Sequence, residues 1–242
     1  GNIITPLFPV QAISIVDAVW FSLLIKIAVT AVTVIAAAIA AEKSGPFWGG
    51  LVIGLPTSAG PAYVMLAIEY DDAFLAVSAL NSLAGNTGAV VFLIILIYTA
   101  PRLSVAATLG LATGAWLVIA WGVGQITWSV PWAILINVII LVPALWFTRD
   151  ILPGPPTGRS LARRWYDLPI RGVIVGVFVA VVVTLGKVIG PQATGIVSVY
   201  PITLTSLVLI VMPRLGGQTT AATMASIVRS MIGFSAGFLL IS

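Results

Sequence analysis

Two cations stand out in a chain this apolar. Arg229 falls about halfway along the last apolar segment, next to Ser226 and Ser230. Lys26 falls nine residues beyond Asp17, inside the first. An ionised side chain at mid-depth in a bilayer costs at least about 2.5 kcal/mol, so both are expected to face protein or a wet cavity. Of the seven acidic residues, only Asp17 comes near an apolar interior. It lies roughly two and a half turns from Lys26, too far for a pair on a straight helix. Snorkelling is the bland reading of Lys26, and its depth makes that uncomfortable. Interior cations without matching acids suggest an anionic ligand, and a guanidinium suits carboxylate, phosphate or sulfate through paired hydrogen bonds.

Hydroxyls and freed backbone groups are the second candidate set. The stretch from Gly45 to Pro61, GPFWGGLVIGLPTSAGP, is echoed at Gly190 to Pro201, GPQATGIVSVYP. Each opens with Gly-Pro, has glycine at Gly50 or Gly195, and reaches proline at Pro56 or Pro201, a constant shift of 145 residues. Proline removes a backbone donor and clashes with the preceding turn, so both helices should kink or unwind there. In lipid the freed carbonyls need protein, water or solute as partners. Helix starts after the two breaks could offer amide donors to an anion, from Thr57, Ser58 and Ala59 and from Ile202, Thr203 and Leu204. The hydroxyls of Thr57, Ser58, Thr203 and Thr205 could serve an anion, sodium or water.

The elements that position these groups follow from composition. Of 242 residues, 60% are hydrophobic and 7% charged, with mean hydropathy +1.16. That pattern predicts an all-α polytopic membrane protein. We read eight spans, 15–41, 46–69, 73–100, 104–125, 130–148, 170–188, 191–213 and 217–242. The loop 149–169, rich in Arg and Pro, joins two halves. The first repeat with its linking fifth helix occupies 1–148; the second, 170–242, is one helix short. Arg149, Arg159, Arg163 and Arg164 place that loop in the cytoplasm, which puts both termini outside. Only Lys187 dissents. The cluster Glu69, Asp71 and Asp72 then reads as a solvated external turn.

Spans 2 and 7, the two broken helices, lie five crossings apart and so enter from opposite faces. This is the signature of an inverted-topology repeat with a site near the midplane. The third span carries Ser78, Asn81 and Gly85 on one face, and the same shift carries these to Thr223, Ser226 and Ser230. Such a stripe serves close packing, a solute path, or both. Asn86 and Thr87 are further candidates on that span, and Tyr63 and Asn137 lesser ones.

Histidine and cysteine are absent. That removes the commonest general base and thiolate chemistry, and we expect no enzyme, no cofactor and no metal site. The net charge of +4 sits mostly in short loops and gives no nucleic-acid signal.

The run GGLVIGLPTSAGPAYVMLAIEY, followed by the small-polar third span and FLIILIY, resembles the small four-helix bacterial inner-membrane proteins of the GlpM type. The likeness covers residues 15–125, with a fainter echo in 170–242. It implies a bacterial inner membrane and a four-helix unit, here doubled, and little about substrate.

The expected function is a secondary transporter or facilitator for a small anionic solute, with alternating access around the broken helices. The binding residues would be Arg229, Lys26, Pro56, Thr57, Ser58, Asn81, Asn86, Pro201, Thr203, Thr205 and Ser226. The alternatives are a channel for a small anion or neutral solute, and a lipid-handling protein: a flippase or an envelope assembly partner. Expected partners are the lipid bilayer, the solute and, for a small inverted-repeat protein, a second copy.

Overall fold

The computed structural model describes residues 20–33, 35–36, 59–151 and 166–241, and all its regular structure is helical. Seven helices are present among the described residues: α1 (Trp20–Thr33), α2 (Ala59–Glu69), α3 (Asp72–Thr99), α4 (Val105–Gly124), α5 (Val130–Thr148), α6 (Asp167–Ser198) and α7 (Ile202–Ile241). Four of them, α3 to α6, contain stretches long and apolar enough to cross a membrane. The expected spans 170–188, 191–213 and 217–242 fall on two helical runs, α6 and α7, each with an internal break.

Two helix starts, those of α3 and α4, are capped by side chains. The Asp71 carboxylate accepts the Phe74 amide at 2.8 Å, and the Ser104 hydroxyl accepts that of Ala107 at 3.3 Å. Each such cap is worth about 1 kcal/mol. Pro131 enters α5 in its first turn, where a missing donor costs nothing.

Helix α3 is the centre of the molecule and packs against α2, α4, α5, α6 and α7. In its most apolar stretch 67% of residues are buried, against 17% for α4 and 11% for α5. Its packing face is made of small residues: Ser78, Ser82, Gly85 and Gly88 are buried. The outer helices turn large apolar groups outward, among them Leu117, Val118 and Trp121 on α4 and Trp132, Val142 and Trp146 on α5. This suits a lipid surround, where apolar exposure carries no penalty. Helix α1 carries the inversion furthest. Trp20, Phe21, Leu24 and Ile25 are exposed while Lys26 and Thr30 are buried.

Helix α6 folds back on itself. Gly190 has φ +79° and ψ 169°, a conformation open to glycine alone, and Pro191 follows it. A Cβ on Gly186 would lie 3.3 Å from Thr194 Oγ1. Eight residues of straight helix would hold those positions about 12 Å apart. The limb 191–198 therefore returns antiparallel to 167–189 and parallel to α3. Ser78 donates to the Pro191 carbonyl and Ser82 to that of Gly195, while Gly85 meets Ile196 and Val199. Helix α7 breaks likewise at Gly216, with φ +80°. Gly217 sits against the backbone of Ala100 and Pro101 at the far end of α3. Both α7 limbs feed one core, through Val208 and Met212 on one side of the break and Met224 and Val228 on the other.

Candidate functional site at the α6–α7 break

Between α6 and α7 the chain leaves helix at Val199, Tyr200 and Pro201. Gly85 faces this interruption: a Cβ there would lie 3.1 Å from Val199 Cγ2. Gly85 is the middle of α3, about 20 Å from Asp72 at 1.5 Å per residue. The backbone break therefore lies halfway along the most buried helix.

Tyr200 fills the break. Its ring meets Trp116 edge-on at 4.9 Å, Phe178 at 5.7 Å and Phe92 at 6.0 Å between centroids. Its hydroxyl lies 3.0 Å from Thr113 Oγ1 on α4 and 3.4 Å from Thr205 Oγ1 on α7. Trp116 is buried and its indole N–H has no hydrogen-bond partner among the described residues. That ring packs on Gly88, where a Cβ would meet Nε1 at 3.1 Å. The turn amides of Val199, Tyr200 and Ile202 reach the carbonyls of Ile196, Val197 and Tyr200. Three hydroxyls and an unpaired indole donor at an aromatic-lined break can hold an oxygen-bearing solute. A buried donor left unmade costs about 1–3 kcal/mol, which a solute acceptor would offset.

Among the sequence candidates, Pro201, Thr203 and Thr205 are gathered here. Pro201 and Thr203 are buried, and Thr205 Oγ1 bonds the Pro201 carbonyl at 3.1 Å. Asn81 is buried on the α3 face between Ser78 and Gly88. Its amide nitrogen bonds the Val77 carbonyl at 2.9 Å and its Oδ1 has no partner among the described residues. Asn86 is turned to α5 instead, donating to Asn137 Oδ1 at 3.0 Å, while Asn137 donates to the Leu83 carbonyl. Thr87 bonds the Ala84 carbonyl of its own helix. Pro56, Thr57 and Ser58 lie outside the described residues, as do the side chains of Ser226 and Arg229.

Lys26 requires a correction. The sequence offered it no acid, yet its ammonium lies 2.7 Å from Glu69 Oε1 and donates to Thr184 Oγ1 at 3.3 Å. Glu69 is therefore not simply part of a solvated turn. It ends α2, and α1 packs so closely that the two side chains meet. The close approach is set by Gly172 and Gly176 on α6, one turn apart. A Cβ on Gly176 would lie 2.7 Å from the Ile27 carbonyl. This is the small-xxx-small pattern of close membrane helix pairs.

Trp116, Tyr200, Thr113 and Glu69 were not among the binding residues expected from the sequence. The Gly172–Gly176 spacing was the available signal for α1 docking, and Tyr200, directly before Pro201, for the aromatic break. No family model, curated protein or solved structure matches the chain.

Proposed function

We propose that the chain is a secondary transporter or facilitator for a small anionic solute, which binds at the break between α6 and α7. One observation carries this reading: Tyr200, at mid-length of α3, holds hydroxyls from α4 and α7 together beside an indole N–H with no partner. Discontinuous helices in an apolar protein mark transporter sites, because freed backbone groups need a ligand or a cavity. The limb 191–198 and the following helix make one such discontinuous crossing, parallel to α3. The 145-residue shift makes the Gly45–Pro61 stretch its inverted counterpart. Gly190 and Gly216 are the natural hinges for alternating access, since both hold backbone angles that only glycine holds without strain.

The anionic character of the solute rests on the sequence alone: Arg229 falls about halfway along the last apolar segment, and that segment holds no acidic residue. The surrounding membrane is that of a bacterial cell, on the resemblance to the GlpM type.

The test is a thermal-stability screen of purified protein against carboxylates, phosphate, sulfate and anionic lipid headgroups. A ligand that binds only the native state raises the melting temperature. One anion class should do so, and Tyr200→Phe and Arg229→Gln should each weaken the effect at least tenfold in apparent affinity while staying folded. A response to lipid headgroups alone, or undiminished affinity in Tyr200→Phe, overturns the reading.

A further inference from the structure

The ion pair of Arg214 and Asp167 lies outside the break site. The guanidinium meets the carboxylate through two parallel bonds, Nη1 to Oδ2 and Nη2 to Oδ1, each 2.8 Å. It also lies over the Tyr166 ring, 5.6 Å from the centroid. Asp167 opens α6, and only 14% of its side chain is exposed. Arg214 stands next to Pro213 and two residues before the break at Gly216.

The α7 limb 202–215 is helix with non-helical backbone at both ends, at 199–201 and at Gly216. Its Leu204, Val208 and Met212, four residues apart, lay one apolar stripe on the core. Apolar burial has no preferred direction, whereas a two-bond fork fixes an orientation. The points that hold the limb are themselves held. Gly217 lies against the Ala100 carbonyl at the end of α3, which seats the pivot. Helix α6 is docked on α1 through Gly172 and Gly176, and Lys26 donates to its Thr184. Asp167 is therefore a fixed post, and the limb is the part that can turn. The limb is about 21 Å long, so a turn of about 15° at Gly216 carries its far end about 5 Å.

We propose that the Arg214–Asp167 pair is a latch. It sets the angle of the first α7 limb at Gly216 and so holds the break at Tyr200 closed. Its release lets the limb swing and opens the break to water. This rests on the reading of the break as the solute site.

The moving end carries part of that site. Thr205 travels with the limb, while Thr113 and Trp116 stay on α4. The swing thus parts the hydroxyls that Tyr200 gathers, and a solute held among them is let go.

The experiment introduces a single cysteine into a chain that has none. Val208→Cys reports on the limb, where Val208 is buried, and Val175→Cys, in a second protein, on the separate core between α2 and α6. The rate of reaction with a water-soluble maleimide is measured on each purified protein. Adding Asp167→Asn should speed the reaction at position 208 by at least about tenfold, because two bonds between charged groups are lost. It should leave the rate at position 175 unchanged. Arg214→Lys keeps the charge but loses the fork, and should give an intermediate rate at position 208. It also keeps the test open if Asp167→Asn does not fold. The latch is overturned by a parent rate at position 208 in either variant, or by both cysteines speeding up alike, which is general loosening. The assay contains no solute. If these rates behave as stated while no anion raises the melting temperature in the thermal screen, the carrier reading fails and the latch stands. If an anion is found while the rates do not move, the latch alone fails.

Discussion

Ser82 donates its hydroxyl hydrogen to the Gly195 carbonyl across 2.6 Å. The same oxygen lies 2.6 Å from the Tyr63 hydroxyl. A serine has one hydrogen to give, so Tyr63 is the donor in the second bond. Three helices, α2, α3 and the returning limb of α6, thus meet on one atom. The meeting needs a bare backbone at Gly195, because a Cβ there would collide with the Ser78 carbonyl.

Replacing Ser82 with Ala removes both bonds and leaves the Gly195 carbonyl and the Tyr63 hydroxyl unpaired in an apolar interior. The loss should be about 1–3 kcal/mol. It is read as a lower unfolding midpoint in detergent. An unchanged midpoint means that the junction carries no weight in the fold.

Asn86 and Asn137 tie α3 to α5 by two bonds, one side chain to side chain and one to the Leu83 carbonyl. A double-mutant cycle with Leu at both positions should give a coupling of about 0.6–1.7 kcal/mol, the range found for polar contacts between membrane helices. Additive losses would show that the two amides act separately.

Gly176 admits α1 to within contact of α6. Leu at this position should push the helices apart and break the Lys26 bonds, because the Ile27 carbonyl occupies the space. The chain has no cysteine, so the effect can be read with one introduced at Thr30, which is buried on α1. That cysteine should react slowly with a water-soluble thiol reagent when Gly176 is kept and faster with Leu at 176. Equal rates in both refute the glycine-set approach.

The helical, membrane-type architecture was legible from composition, and the α5 boundaries 130–148 from hydropathy. The turn at Gly190 and Pro191 falls where the sequence put a span boundary, because glycine and proline act locally; the break expected at Pro56 lies outside the described residues. The Lys26 partner was not legible. Glu69 lies 43 positions away, and its proximity depends on glycines in a third helix, α6. The bare count of interior charges also misled, because Glu69 lies at a helix end, where sequence alone suggests water. Trp116 and Tyr200 were passed over for a different reason. Aromatic residues are common in membrane chains, and only packing reveals which one lacks a hydrogen-bond partner. Thr205 stands beside Tyr200 because it follows a break, whereas Asn86 turns to Asn137 on α5, and a helical face does not say which neighbour a residue meets.

The eight-residue limb after Gly190 has an implication for how the protein is made. Its Pro191 and Gly195 carbonyls take donors from Ser78 and Ser82, which leave the ribosome more than a hundred residues earlier. Such a limb is too short to be stable by itself in lipid, where backbone groups demand partners. The first half must therefore already stand in the bilayer as a receiving surface when this segment arrives. Assembly has a built-in order, with α3 as the template and the second half as its cargo.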